Sequence, residues 1–244
     1  LVEKYDRPGP RYTSYPTAPQ FHEAFAMDDY RQAAEASNRA VAPKPLSVYI
    51  HIPFCQSLCY YCACNKIITQ KTHRAVEYLD YLKREIALQA ELFDTSRKLT
   101  QLHFGGGTPT YLTSEQLGEV MDALHDAFNM DDSDNHEFSI EVDPRTISPE
   151  RIHTLRQQGF NRLSFGVQDF DEKVQAAVNR IQSEEQVRDL IEAARAARFK
   201  SVSVDLIYGL PLQTVESFDA TLSKIIALRP DRIAAYSYAH LPER

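Results

Sequence analysis

The sequence predicts an α/β fold, an incomplete, open barrel of six parallel strands behind an extended and helical N-terminal arm. Three observations carry that expectation. From Pro45 onward, short apolar strand candidates alternate with amphipathic helical stretches, and such alternation implies a parallel sheet. Each strand candidate has one apolar phase and one small or polar phase. The polar residues gather toward the C-terminal strand ends, where parallel α/β folds place their sites.

Residues 1–45 read as the arm, rich in Pro and Tyr, with one helix over DDYRQAAEASNRAV (28–41). Residues 46–244 form the barrel. Its strand candidates are SVYIHI (47–52), QLHFG (101–105), EFSIEV (137–142), RLSFGVQ (162–168), SVSVDLIYG (201–209) and RIAAYSYAH (232–240). Side chains alternate faces along a strand. Val48, Ile50 and Ile52 therefore oppose Tyr49 and His51, and Phe138, Ile140 and Val142 oppose Ser139, Glu141 and Asp143. Leu163, Phe165 and Val167 oppose Ser164, Gly166 and Gln168; Val202, Val204 and Leu206 oppose Ser203 and Asp205. A barrel filled by its own side chains is mostly apolar on both faces, so a polar inner phase predicts a lumen that holds a ligand.

The intervening helices carry start and stop signals. Thr113 with Gln116 and Ser183 with Gln186 make capping-box patterns. Ser148 before Pro149 is an N-cap with proline at the first helical position, and Gly159 suits the C-terminal end. Apolar faces recur at helical spacing: Leu79, Leu82, Ile86 and Phe93; Leu117, Val120, Met121, Leu124 and Phe128; Val187, Leu190, Ile191 and Ala194. A late helix takes Thr214 as cap and buries Phe218, Leu222 and Ile225.

Composition bounds the function. At 244 residues and 43% hydrophobic content the chain can bury one large core. A net charge of −7 without a Lys/Arg-rich stripe argues against nucleic-acid binding. No run approaches the ~18 apolar residues of a membrane span. The polar start LVEKYDRPGPRYTSYP has no apolar signal core, so a reducing, cytoplasmic location is expected. The chain begins at Leu1 and stops just after a strand candidate, and reads as a fragment without its C-terminal domain.

Cys55, Cys59, Cys62 and Cys64 fall in the run HIPFCQSLCYYCACN, and the chain has no other cysteine. In a reducing compartment, four crowded sulfurs point to a metal rather than to disulfides. Zinc is the competitor. Structural zinc sites usually close a tetrahedron from two well-separated Cys pairs, and these sulfurs are packed too tightly for that. The spacing favours an iron–sulfur cluster. A 4Fe–4S cube held by three thiolates leaves one iron open to a ligand.

Further features sit at the predicted strand ends. GGGTPT (105–110) follows a strand directly, and consecutive glycines bring bare backbone within reach of a ligand, although a structural turn is an equally good reading. Glu141 and Asp143 read as a solvated loop pair or a cap, or, for Glu141, as an acceptor for a cationic or hydroxylated ligand. Asp205 interrupts an apolar run, and a buried carboxylate costs several kcal/mol unless partnered, so a ligand or an arginine is expected beside it. Gln168 is unremarkable alone, and Arg180 reads as a surface helix residue. His51 and His103 share the inner phase and read as hydrogen-bonded packing residues rather than ligands.

Seven motifs then converge: GPRYTSYPTAPQF (9–21), YIHIPFCQSLCYYCACNK (49–66), HFGGGTPTYL (103–112), IEVDPR (140–145), GFNRLSFGVQDF (159–170), VDLIYGLP (204–211) and YAHLP (238–242). Over nearly the whole chain they resemble the oxygen-independent coproporphyrinogen III oxidases of the radical S-adenosylmethionine (SAM) superfamily. The resemblance implies a partial (β/α)6 barrel, open and TIM-like. It implies that Cys55, Cys59 and Cys62 ligate a 4Fe–4S cluster whose open iron binds SAM. An electron then cleaves SAM to methionine and a 5′-deoxyadenosyl radical, which takes a β-hydrogen from a propionate of coproporphyrinogen III. Loss of CO2 leaves a vinyl group, and two such steps give protoporphyrinogen IX.

By the same correspondence Tyr49, Gly106 and Glu141 contact the cluster-bound SAM. Tyr61, Gly107, Thr108, Gln168, Arg180, Asp205 and Ala239 line a second SAM site or part of the substrate space. Cys64, no cluster ligand, joins Tyr49 as a candidate catalytic side chain. Arg11, Arg145 and Arg180 are candidates for holding the substrate's carboxylates. Phe104, Phe165 and Ala63 stand where the family often has Trp, Met and Gly. A separate reductant and a monomeric state are expected. The runner-up is the haem-chaperone paralogue group without decarboxylase activity, whose members usually lack the fourth cysteine and the long arm.

Overall fold

The computed structural model describes Thr17 and residues 20–239. The motif GPRYTSYP, Arg11 and the LP of YAHLP lie outside the described residues. The elements run, in order, α1 (Met27–Asn38), β1 (Leu46–Ile52), β2 (Phe54–Cys55), β3 (Ile67–Ile68), α2 (His73–Leu92), β4 (Lys98–Gly106), α3 (Ser114–Ala127), β5 (Asn129–Met130) and β6 (Glu137–Val142). They continue with α4 (Pro149–Gln157), β7 (Arg162–Gln168), α5 (Glu172–Ala177), α6 (Glu184–Ala196), β8 (Ser201–Tyr208), α7 (Val215–Leu228) and β9 (Arg232–Ser237).

The sheet order is β1-β4-β6-β7-β8-β9, every pairing parallel, with β5 added beside the start of β4. Among the described residues β1 and β9 do not pair, so the sheet is an open barrel. Short β2 and β3 form a separate parallel pair that holds the cysteine loop between them.

The phases fall as alternation demands. Ile50, Ile52, Leu102, Phe104, Ile140, Leu163, Phe165, Val202 and Val204 are all buried under the helices. Each is stabilised by roughly 1.5–3 kcal/mol relative to exposure. The second strand is longer than its pattern because Leu46 pairs Leu99 while Ser47 pairs Gln101, an irregularity at Thr100. The extra residue returns Leu99 to the buried face and breaks the two-residue period there. The lumen side stays polar. His103, Ser139, Glu141, Ser164 and Asp205 line a cavity of about 530 Å³ inside the barrel.

Caps show where tertiary structure overrules local pattern. Thr113 and Gln116 form the reciprocal box, with bonds of 3.2 and 3.0 Å. Ser183 caps Gln186 N at 3.0 Å, but the Gln186 side chain donates instead to Pro144 O at 2.9 Å, tying α6 to the turn after β6. Ser148 makes no side-chain cap bond, and Pro149 opens α4 as expected. Phe93 falls just beyond α2, and Phe218 and Leu222 are only partly buried, whereas Thr221 joins Ile225 on the buried face of α7. Among the described residues no helix is long and apolar enough to cross a membrane.

Candidate functional site

The four cysteines hang from β2, at the C-terminal mouth of the barrel. Their loop is tied down by Tyr60 N to Val178 O at 3.0 Å and by Asn179 Nδ2 to Leu58 O at 2.7 Å. Lys66 Nζ closes it from below, donating to the carbonyls of Cys62 at 2.8 Å and Cys64 at 3.3 Å. Cys59 is buried, Cys55 and Cys62 are half-buried, Cys64 is exposed, and none is in a disulfide. Burial pushes the Cys55 thiol up. The Cys64 thiol donates to Cys62, which lowers Cys62 to about 6 and raises Cys64. Cys64 keeps its proton and Cys62 carries the negative charge.

All four sulfurs border one cavity of about 340 Å³. Opposite them runs the glycine turn. Gly106 has φ +118°, a conformation that a side chain would strain. A Cβ on Gly107 would lie 2.7 Å from Pro53 O and 2.9 Å from Phe54 O. Those are backbone atoms of the segment that carries Cys55, so no rotamer change relieves the clash. Gly107→Ala is expected to destabilise the protein by about 1–3 kcal/mol, read as a lower urea midpoint at unchanged slope.

Thr108, Glu141, Gln168, Arg180, Asp205 and Tyr61 line the same cavity. Tyr49 stands one layer behind, stacked on His103 and bonded to His51 Nδ1 at 3.0 Å. Ala239 lies past β9, exposed and away from the cavity lining. His103 bonds Ser139 Oγ at 2.6 Å and Glu141 Oε1 at 3.3 Å, so it is the hydrogen-bonded packing residue its phase predicted. Among the described residues no three His, Cys, Asp or Glu side chains converge on one ion.

One sequence reading is corrected. Arg180 is buried, at 7% exposure, rather than on a helix surface. It follows Asn179, whose φ of +54° turns the chain beneath β7, and its guanidinium donates to Gly166 O and Asp143 Oδ2 at 2.5 and 3.3 Å. Gly166 leaves the room, since a Cβ there would sit 2.9 Å from Arg180 Nη2. Asp143, read as half of a solvated pair or as a cap, is the cap: it is buried between Arg180 and Arg145 and caps the turn at Pro144–Thr146. Burial works to raise its carboxyl, but the bonds from Arg145 and the charge of Arg180 outweigh it and hold the group below its usual range.

Among the described residues Asp205 has no arginine ion pair. Its partner in the protein is Ser164 Oγ at 3.1 Å, and the rest of the carboxylate faces the cavity. Burial, with Glu141 nearby, pushes it up to about 6. A carboxyl raised in the folded state contributes stability below its unfolded value and loses it as pH rises through the folded value. With no ligand bound, Asp205→Asn is therefore expected to stabilise the protein by about 2–3 kcal/mol at pH 7.5, at ~1.4 kcal/mol per pH unit. The gain falls to about 1 kcal/mol at pH 4.5, just above the unfolded value, and melting curves of both proteins at the two pH values check it.

The radical SAM superfamily model matches residues 49–225. An oxygen-independent coproporphyrinogen III oxidase of Pseudomonas aeruginosa is 50% identical over 244 residues, 100% of this chain and 53% of that protein. The one of Salmonella typhimurium is 51% identical over 242 residues, 99% of this chain and 51% of its own length. The solved structure of coproporphyrinogen III oxidase (HemN) from Escherichia coli, described as a radical SAM enzyme, is 49% identical. It superposes with a TM-score of 0.88 over 99% of this chain and 53% of its own. The chain thus spans about half the length of the curated relatives it matches. With that superfamily match running from β1 through the cysteine loop to α7, the chain belongs to the radical SAM superfamily.

Proposed function

We propose that this chain is the catalytic barrel of an oxygen-independent coproporphyrinogen III oxidase. The observation that carries the reading is the meeting of the cysteine loop, the bare glycine turn and the polar lumen at one cavity. The donor set fits a 4Fe–4S cluster on Cys55, Cys59 and Cys62. A cube bonds each thiolate to a different iron, so the sulfurs border a shared space rather than converge on one point. Gly107, whose Cβ would strike Pro53 O and Phe54 O, lets the glycine turn pack directly against the segment that carries Cys55.

When bound, the cluster and SAM supply one-electron, hydrogen-abstracting chemistry, directed here at two propionate side chains of coproporphyrinogen III, which lose CO2 and become vinyl groups. The protein's part is positioning and exclusion of competing reactions. Tyr49, Gly106 and Glu141 contact SAM at the cluster. The Glu141 carboxylate, already oriented by His103, accepts from a cationic or hydroxylated group. Tyr61, Gly107, Thr108, Gln168, Arg180 and Asp205 border a second SAM or the substrate, and Ala239 stays outside that lining. Among the described residues Gln168 Oε1 is buried without a partner, which suits an acceptor held for a ligand. Cys64, protonated beside Cys62, is the remaining candidate catalytic group. An external reductant supplies the electrons, and the protein acts as a cytoplasmic monomer.

The test is EPR on anaerobically reconstituted, dithionite-reduced protein before and after SAM, with turnover of coproporphyrinogen III by the full-length protein. A reduced 4Fe–4S signal that shifts with SAM, and vinyl product, are expected. Zinc without inorganic sulfide, or haem binding with no porphyrinogen conversion, overturns the reading.

A further inference from the structure

Two guanidinium groups converge on the sulfur of one cysteine. Arg145 Nη2 donates to Cys59 Sγ at 3.4 Å, and Arg180 Nη1 donates to the same atom at 3.5 Å. The other sulfurs are served differently. Cys55 Sγ shares a hydrogen bond with Thr108 Oγ1 at 3.4 Å, and Cys62 is met by the Cys64 thiol. Cys59 is also the most deeply placed, at 8% exposure, where charge interactions are least screened by water.

Asp143 fixes the direction of both donors. Its Oδ2 accepts from Arg145 Nη2 at 2.7 Å and from Arg180 Nη1 at 3.3 Å, the same nitrogens that reach the sulfur. Two cations around one carboxylate leave a net positive charge beside Cys59. For packing alone, Arg180 could satisfy the buried carboxylate, since its guanidinium also has Gly166 O. Arg145 adds a second positive donor that packing does not require.

Hydrogen bonds to the sulfurs and local charge set an iron–sulfur cluster's reduction potential. Reduction adds one negative charge and makes or breaks no bond, so cationic donors at a ligand sulfur stabilise the reduced form more than the oxidised form. Resting on the cluster reading above, we propose that Arg145 and Arg180, aimed by Asp143, raise the cluster's reduction potential through Cys59. They thereby ease its reduction by an external one-electron donor. Arg145 is a positioning and tuning residue rather than a catalytic one.

The experiment is a dithionite potentiometric titration, followed by EPR, of reconstituted wild-type, R145Q, R145K and D143N proteins, with iron and sulfide measured on each. R145Q is expected to load the cluster and to reduce tenfold less favourably, a midpoint about 59 mV lower for a one-electron couple. R145K, which keeps the charge and loses the planar fork, falls between. D143N keeps one carbonyl acceptor to aim the two guanidinium groups and loses the compensating negative charge, so it moves the midpoint the opposite way. Fully loaded R145Q with the wild-type midpoint overturns the tuning role and leaves the functional reading standing. Wild-type protein that takes up no cluster overturns both. Should R145Q fail to fold, the opposite signs of R145K and D143N decide, and shifts in the same direction overturn the proposal.

Discussion

Asp143→Ala is expected to destabilise the protein by about 3–5 kcal/mol, against no more than about 1 kcal/mol for Lys83→Ala at an exposed pair. Lys83 Nζ meets Glu119 at 3.0 Å in water, where geometry alone contributes little. Asp143 is different because everything around it depends on its charge. Removing the carboxylate leaves the Arg180 guanidinium, whose side chain is only 8% exposed, beside that of Arg145 with nothing between the two cations. It also removes the cap on Arg145 N at 3.1 Å, which starts the turn that Gln186 grips from α6. Urea unfolding of the two variants against wild type measures the contrast. Near-equal losses would mean that the cluster relaxes by admitting water, and the buried-network account would fail.

The strands were legible because a two-residue period survives in β1, in β6 and in β7 as far as Val167, and alternation places Glu141 and Ser164 on the lumen face. Leu99 escaped because a single extra residue at Thr100 reverses its phase, and no local signal announces a bulge. The short helix Glu172–Ala177 escaped because six residues are too few to show a helical period. Asp205 announced itself as a charge inside an apolar run. Arg180 did not, because its burial depends on a left-handed turn at Asn179 and on the missing Cβ of Gly166 across the barrel. The polar-phase glycine in RLSFGVQ was the one available hint that something large lies over β7. The Asp143–Arg145–Arg180–Cys59 cluster draws on three separate segments, and only the folded chain brings them together.

Single replacement of Cys55, Cys59 or Cys62 by Ala is expected to abolish the cluster and with it all turnover, because the cofactor carries the difficult chemistry. Cys64→Ala is expected to keep the cluster and lower metal affinity by at most about 10–100-fold, the usual range for a group that acts on a ligand rather than as one. Spacing alone cannot make this division, since all four sulfurs lie within one short run and border one cavity. Charge makes it. Cys62 is held as thiolate, at about 6, by the proton that Cys64 retains, so the two thiols form a donor–acceptor pair rather than two equal ligands. Losing Cys64 removes one hydrogen bond from Cys62, while the Lys66 ammonium still supports that thiolate. Losing Cys62 leaves Cys64 exposed, its backbone still held by Lys66 Nζ at 3.3 Å. Iron and sulfide content with visible absorbance, measured anaerobically on the four variants, checks the division. A Cys64 variant as empty as the other three would make it a ligand, and would require one of Cys55, Cys59 and Cys62 to be the bystander.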